Sequence, residues 1–509
     1  MNLNQGSIGF VYGGEIDVNS GVFSGTATIA GNTVNLNGGS CGAVYGGKST
    51  STGVIIRDNI INWTGSIVSG TIYGGIGTVC TGNTLNVKGI GLTAGNLSNF
   101  STINYILPAS TADGTTVITL TGTEATDLTG TTVNVDTTGA SSLKGGDTVT
   151  LLKTNGTLTT SDTTLGGTLK QGVSATYTLK LAADTNDLKL QVVGGALKAQ
   201  TKSLVETAAG IVSQVNSGAD FLAGTWSMNA ADAAGATPGS YTPVFAASGS
   251  NLRANSGSYV DIHGQSMALG FAAELKDHTG TLLLSPMVEY GKGNYTSHLD
   301  DGTRGDGSSH YFGGGIYARQ MQPDGLYYEG SLRAGRTTAD YRSYDLDGAT
   351  GTSDGHVSYD TDASYLGVHA GVGQLQKLAG GDTLDYYGKY FYSHTGNDDV
   401  TLSSGEAYHF DAVESQRIRL GSRFTHKVNA QSSLYAGLAY QYEFDGSAQA
   451  HYNGFSTASP SLKGSSGMLE LGCHLRPSAE SRWLIDLGLN GWSGKQQGVT
   501  AQAGVQLAF

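Results

Sequence analysis

The sequence predicts an all-β protein: an N-terminal parallel β-helix (solenoid), joined by a pore-spanning α-helix to a C-terminal 12-stranded antiparallel transmembrane β-barrel. Three observations carry this reading. Val11-Tyr-Gly-Gly14, Val44-Tyr-Gly-Gly47 and Ile72-Tyr-Gly-Gly75 repeat one motif early in the chain. Lys202–Leu222 holds the one good helical period. The final strand alternates without a break: Val499, Ala501, Ala503, Val505, Leu507 and Phe509 form an apolar row, opposed by Thr500, Gln502, Gly504, Gln506 and Ala508. Period-two alternation over that length puts two different solvents on the two faces of a strand. A bilayer outside and a wet lumen inside supply both.

In the repeat region, Gly31-Asn-Thr-Val-Asn-Leu-Asn-Gly38, Asp58-Asn-Ile-Ile-Asn-Trp-Thr-Gly65 and Gly82-Asn-Thr-Leu-Asn-Val-Lys-Gly89 lie between the tyrosine motifs. Short β segments with glycine at the corners and an inexact period describe a stacked solenoid. Stacking predicts a core column of Val34, Ile61 and Leu85, and an internal asparagine ladder of Asn35, Asn62 and Asn86. From about Asn104 the repeat fades into strand-like segments (115–120, 132–135, 147–153, 176–181 and 188–193), read as the capping end that covers an open β edge.

The helix 202–222 places Leu204, Ala208, Ile211, Val215 and Leu222 on one stripe. Twenty helical residues reach about 30 Å, the depth of a bilayer core. Its polar face, with Glu206, Gln214, Asn216, Ser217 and Asp220, suits a wet channel rather than lipid.

Twelve long alternating strands follow Trp226, near 244–253, 265–275, 281–290, 310–320, 326–336, 364–374, 383–394, 415–427, 433–444, 468–476, 481–490 and 498–509. An even count suits a bacterial barrel. Ile418, Leu420 and Phe424 oppose Arg417, Arg419 and Arg423; Leu469, Leu471, Cys473 and Leu475 oppose Glu470, His474 and Arg476; Leu438 and Tyr440 oppose Gln441 and Glu443. The charged row therefore faces the lumen, with Glu329 and His369 beside Arg333 and Arg417. The domains expected are 1–199 (capping end from 104), a linker helix at 200–224 and the barrel at 225–509.

Composition supports the class. Charged residues make up 14% and hydrophobic residues 38%, unlike either a soluble helical enzyme or a helical membrane protein. No apolar run reaches the roughly 18 residues that a spanning helix needs. Glycine, at 78 of 509 residues, is roughly twice its usual share. The 26 tyrosines against 4 tryptophans suit interfacial aromatic girdles. A net charge of −13 without a basic run argues against nucleic acid as a partner. Cys41, Cys80 and Cys473 have no metal-ligand spacing; Cys41 and Cys80 either pair across rungs or are small residues at buried positions. Met1-Asn-Leu-Asn-Gln-Gly6 opens directly in repeat-like sequence, so a longer precursor with an export signal, or an internally assigned start, is expected.

The long connections 297–309, 342–360 and 451–467 are expected outside the cell and the short turns 276–280 and 323–325 in the periplasm. Arg304-Gly305-Asp306 falls in one such loop, and Asp345-Leu-Asp-Gly348 with Asp354 lacks the last glutamate of a calcium loop. His310, His356, His369, His394, His409 and Asp385 show no diagnostic catalytic spacing, and GxSxG and HExxH are absent. No catalytic residue, metal or cofactor is expected.

The order of solenoid, cap, polar helix and barrel resembles the classical (type Va) autotransporters. The likeness is closest over Lys202–Phe509, where Gly249-Ser-Asn-Leu-Arg-Ala-Asn-Ser-Gly-Ser-Tyr-Val-Asp-Ile-His-Gly264, then Met267-Ala-Leu-Gly270, is similar to the opening of a translocator domain. The resemblance implies an outer-membrane barrel in lipid that supports secretion and surface anchoring of its own passenger, and no enzyme activity. It implies an assembly signal at Val505, Leu507 and Phe509 read by the barrel-assembly machinery, help from periplasmic chaperones, and an autochaperone-like junction at Asp147–Val193. Some members cut the passenger free in the helix, often at paired asparagines; Asn216-Ser217 is the nearest match here, so the passenger is expected to stay attached. Two alternatives remain: a surface adhesin anchored by the barrel, with host or cell-surface ligands as partners, and an outer-membrane barrel enzyme.

Overall fold

The computed structural model describes residues 1–17, 25–138, 141–166, 172–236, 240–277, 280–346, 355–478 and 481–507. They form two compact units, Met1–Lys198 and Ala199–Phe509.

The first unit is a parallel β-solenoid. One seven-stranded sheet stacks Asn2–Leu3, Thr33–Leu36, Ile60–Trp63, Thr84–Val87, Thr102–Leu107, Thr132–Thr137 and Thr164–Gly166 in that order. The register aligns Val34, Ile61, Leu85, Ile103 and Val133 as one core column, and Leu36, Trp63, Val87, Tyr105 and Val135 as a second. All ten side chains are buried.

Two asparagine ladders run through the stack. Asn35, Asn62, Asn86, Asn104 and Asn134 each donate from Nδ2 to the Oδ1 of the rung before, at 2.6–2.8 Å. This ladder lies on the outer face, not inside as the sequence reading had it. Val34 and Leu36 flank Asn35 and point inward, so strand alternation turns the amide outward. The internal ladder is the other set: Asn59 and Asn83 are fully buried, and Asn32 Nδ2 donates to Asn59 Oδ1 at 2.9 Å and Asn59 Nδ2 to Asn83 Oδ1 at 3.1 Å. The Tyr-Gly-Gly motif serves this ladder. Tyr12, Tyr45 and Tyr73 stack with centroids 5.0 and 5.1 Å apart. A Cβ on Gly13, Gly46 or Gly74 would strike the backbone of the next rung and the Cβ of Asn32, Asn59 or Asn83.

Parallel rungs continue beyond Asn104, through Thr164–Gly166. Thr102-Ile-Asn104 and Thr132-Val-Asn134 keep the stacking columns after the tyrosine motif is gone, so loss of the motif did not mark the cap. The stack ends at an antiparallel hairpin, Ala175–Ala183 and Asp187–Leu197, whose second strand pairs antiparallel to Thr148–Thr154. Cys41 and Cys80 are free thiols in different sheets.

The second unit begins with helix α1 (Lys202–Phe221), a π-helical turn (Leu222–Trp226) and helix α2 (Ser227–Ala236). The helical segment is thus longer than the sequence period suggested. Twelve strands follow: β1 (Thr242–Asn255), β2 (Tyr259–Asp277), β3 (Gly280–His298), β4 (Arg304–Met321), β5 (Leu326–Ser343), β6 (Val357–Lys377), β7 (Thr383–Thr395), β8 (Val413–Lys427), β9 (Ser432–Glu443), β10 (Gly464–Leu475), β11 (Trp483–Gly494) and β12 (Gln496–Leu507). They form a closed antiparallel barrel, sealed where β1 pairs β12, as Ala246 opposite Gly504. Closure leaves no unpaired edge in the hydrocarbon.

The outward row is oily: Leu269, Phe312, Leu420, Leu438 and Leu489 are all exposed, Leu438 by 64%. The inward row is tyrosine- and charge-rich, and tyrosine rings lie over glycines of neighbouring strands. Tyr311 covers Gly291, Tyr327 covers Gly373, Tyr387 covers Gly421 and Tyr435 covers Gly472, where any Cβ would collide with the ring.

Two loop expectations fail. The connection near 297–309 is only residues 299–303, and Arg304-Gly305-Asp306 lies in β4. Gly305 sits under Tyr341, and Asp306 accepts from Thr296 Oγ1 at 2.7 Å, so the tripeptide is part of the barrel wall. Conversely, the connections 396–412 and 444–463 carry strands of their own, Asp398–Thr401, Ala407–Phe410, Ala450–Tyr452 and Phe455–Ser456, in one four-stranded sheet. Most of the acidic stretch 345–354 lies outside the described residues.

A candidate functional site in the plugged barrel lumen

Helix α1 fills the lumen from the end bearing the long connections. At its start, Lys202 Nζ donates to Ser258 Oγ (2.8 Å), in the β1–β2 turn, and Ser203 bonds Tyr341 and Ser297 (2.8 and 3.1 Å). At the other end, α2 borders a cavity of about 500 Å³ walled by Met321, Leu375 and Thr383 near the short turns. The chain therefore enters the barrel at the long-connection end and leaves at the short-turn end before starting β1.

The stripe 204/208/211/215 did not decide which helix face is covered. Leu204, Val215 and Ile211 are buried, and so are Ser203, Glu206, Thr207, Gln214 and Asn216. A helix inside a barrel is enclosed on every side. Ala208 is half-buried.

Polar contacts run the length of the plug. Glu206 is fully buried and accepts from Ser256 Oγ (2.8 Å) and Ser258 Oγ (2.6 Å), with Lys202 Nζ at 3.6 Å. Thr207 meets Tyr295 OH at 2.7 Å, and Tyr359 OH donates to Leu204 O at 2.5 Å. Arg333 Nη2 donates to Val215 O (3.2 Å), and its Nε lies 3.3 Å from Glu289. Asn216 Nδ2 donates to Ser415 Oγ (2.9 Å), and Ser415 donates to Glu443 (2.5 Å).

Asp220 is the central anchor. Its Oδ1 takes Arg417 Nη1 at 2.8 Å and Arg419 Nη2 at 2.6 Å, and Arg417 also reaches Asn216 O at 3.4 Å. Two guanidinium groups on one carboxylate, all three side chains largely buried, fix the helix in depth and rotation. Below it, Lys389 Nζ donates to Ala223 O (2.6 Å) at the π-turn and pairs with Glu329 (2.7 Å). Glu329 also meets His369 Nε2 (3.2 Å) and accepts from Tyr317 OH (2.8 Å). Arg423 is bidentate to Glu470 (2.6 and 2.8 Å).

All seven predicted lumen charges are in this network, yet they pair otherwise than Glu329 and His369 beside Arg333 and Arg417. Arg333 belongs to Glu289, and Arg417 to Asp220. Sequence reading missed Glu289, Lys389, Asp486 and the whole of α2. The alternation of β3 and β7 could have put Glu289 and Lys389 on the inward row. Asn229 of α2, which bonds Asp486 (3.4 Å) and Gln506 and sits against Gly504, has no sequence signal of its own.

Val505 and Leu507 lie in β12, opposite Phe245 and Trp483 respectively; Phe509 lies outside the described residues. The candidate acid/base residues are dispersed. His369 is in the lumen, His394 lies near Glu414 (3.8 Å), His409 bonds Asp399 (2.7 Å), and Asp385 accepts from Tyr327 OH (3.0 Å). Among the described residues, no group of three or more His, Cys, Asp or Glu is set to hold a metal ion.

A closed barrel with an oily wall and a polar helical plug defines the class: an outer-membrane β-barrel with its own segment in the bore. Within that class, residues 242–490 match the family model of the autotransporter beta-domain, and the C-terminal unit has the autotransporter translocator barrel fold. Similar solved structures include the beta domain of the Bordetella autotransporter BrkA (18% identity, 53% of this chain and 99% of that one, TM-score 0.42). Others are the translocator domain of NalP from Neisseria meningitidis (12%, 58% and 98%, 0.44) and the transport unit of AIDA-I from Escherichia coli (12%, 56% and 98%, 0.39). No curated protein matches the sequence.

Proposed function

We propose that this barrel carries the solenoid 1–198 across the outer membrane as its passenger and then holds it at the cell surface by the plug helix. The observation that supports this most is the direction of α1. Its first residues sit among Ser258, Ser297 and Tyr341 at the long-connection end, so the preceding chain leaves the bore on the side of the long loops. Long loops face outward in such barrels.

No nucleotide is available at an outer membrane, so folding supplies the bias. Each rung that stacks outside buries residues such as Val133 and Val149 and cannot slide back. The hairpin 175–197 and the strand 148–154 fold first in this reading, because they emerge first if the chain threads from its C-terminal side. Changing Val149, Leu151 and Leu152, all fully buried, to aspartate is expected to stall the chain in the pore. Protease added to whole cells then leaves most passenger protected. Normal surface yield overturns the reading.

The same reading keeps the passenger attached. Asn216 lies within the regular helix α1 with its amide tied to Ser415, so a single full-length band is the expected product. It also makes the barrel-assembly machinery and periplasmic chaperones the partners of the nascent barrel, and outer-membrane lipid its solvent. An adhesive role for the solenoid is compatible with this and is tested by binding of cells or matrix to the surface-displayed protein.

A further inference from the structure

The barrel wall is not equally tall all round. Strands β2 to β6 run 18–21 residues, against 12–15 for β7 to β12. Eighteen residues of tilted strand rise about 45 Å, well past an oily band of about 25 Å. The surplus stands at the long-connection end, where the outward row of β3, β4 and β5 turns from Val288, Phe312 and Leu332 to polar residues such as Asn294, Ser308 and Thr338.

At that border the first polar outward residue is basic on three adjacent strands: Lys292 on β3, His310 on β4 and Arg336 on β5. Gln265, Ser364, Gln416 and Gln497 hold the same place on β2, β6, β8 and β12. The register sets the three close together. Lys292 lies opposite His310, and Phe312, two residues from His310 on the same face, lies opposite Arg336. All three side chains are exposed, and among the described residues those of Lys292 and His310 have no hydrogen bond or ion pair. Arg336 reaches Asp362 through Nε (3.0 Å) and Nη2 (2.5 Å), which leaves Nη1 open. The carboxylates of the tier above are engaged by the wall itself: Asp306 accepts from Thr296 Oγ1 (2.7 Å) and Asp340 from Ser308 N (3.2 Å).

We propose that Lys292, His310 and Arg336 seat the phosphate of a phosphorylated glycolipid of the outer leaflet, with its acyl chains along Phe312 and Leu332 and its saccharide against Asn294. The inference rests on the outward placement of the long connections given above. Exposed cations hold a free anion weakly. At the edge of the hydrocarbon the same cations meet phosphate held at their own depth, and chains packed on the exposed Phe312 and Leu332 add apolar contact that a soluble anion lacks. Above the cations the wall offers amide and hydroxyl groups, the partners of sugar hydroxyls. A simple phospholipid headgroup ends below that tier, so the taller wall fits a headgroup built on sugars.

Native mass spectrometry tests the seat. The full chain is released from detergent micelles that hold equal amounts of a bisphosphorylated glucosamine-disaccharide lipid and its dephosphorylated counterpart. The phosphorylated lipid is expected at severalfold higher occupancy, and equimolar inorganic phosphate leaves it in place. Lys292→Gln with Arg336→Gln is expected to abolish that preference while the barrel keeps its heat-modifiable mobility, and Lys292→Gln alone to lower it partway. Lys276→Gln with Lys377→Gln, exposed at the short-turn end, removes the same charge and keeps the preference. Equal occupancy of the two lipids in the parent, displacement by inorganic phosphate, or a preference that survives in the first double variant overturns the seat. Orientation is read separately, by impermeant thiol labelling of Ala458→Cys on whole cells against the parent. Absent labelling sinks both readings; labelling without a phosphate preference sinks the lipid seat alone.

Discussion

Asp220 shows how much one side chain can hold. Its carboxylate gathers two guanidinium groups that are themselves almost fully buried, so its loss leaves two uncompensated charges beside the plug. Removing one partner of a buried ion pair costs about 3–5 kcal/mol. Asp220→Asn is expected to loosen the helix without unfolding the barrel, seen as added conductance in planar bilayers and unchanged heat-modifiable mobility. Glycine carries a different burden. Gly291→Val puts a side chain where the Tyr311 ring lies, an overpacking that costs about 1–3 kcal/mol. Gly249, with nothing within 4 Å, is the control: Gly249→Ala leaves the melting point unchanged, whereas Gly291→Val lowers it.

At the scale of elements, the two asparagine ladders look alike in sequence and differ in solvent. Asn62 is half-exposed on the outer face, so water replaces its lost bonds. Asn59 is fully buried and serves four bonds: its Oδ1 takes Asn32 N and Nδ2, and its Nδ2 reaches Asn83 Oδ1 and Ile29 O. Leaving such groups unpaired costs about 1–3 kcal/mol each, against about 1 kcal/mol for an ordinary exchangeable bond. Asn59→Ala is therefore expected to shift the solenoid denaturation midpoint at least twice as far as Asn62→Ala; equal shifts would sink the distinction. The plug helix makes the complementary point. Its mixed surface is that of an amphipathic helix, yet every face is covered, because the barrel wall supplies hydroxyl and guanidinium donors where a bundle would supply leucine.

For the molecule as a whole, the barrel's closure binds β1 to β12, so the barrel cannot close before β12 is in place. Val505 and Leu507 line the lipid side of that last strand. Deleting Phe509 is expected to reduce barrel assembly severalfold, read as loss of the heat-modifiable form in outer-membrane fractions, while the purified chain refolded in detergent still closes. That split assigns Phe509 to recognition by the assembly machinery rather than to barrel stability.

The sequence by itself determined the two architectures and the sidedness of the wall. Alternation in β8, β9 and β10 put Arg417, Glu443 and Glu470 inside, and a repeated Tyr-Gly-Gly with Asn-Thr-x-Asn segments announced the rungs, because periods of two and repeats of stacked strands are local properties of the chain. Only the tertiary structure decided which charges pair, that Asp220 rather than Glu329 anchors the plug against Arg417, that Arg304-Gly305-Asp306 belongs to a strand, and that the surface connections form a sheet. Those outcomes depend on register, strand tilt and the depth of the helix in the bore. They bring together residues some two hundred positions apart, a relation that no local pattern encodes.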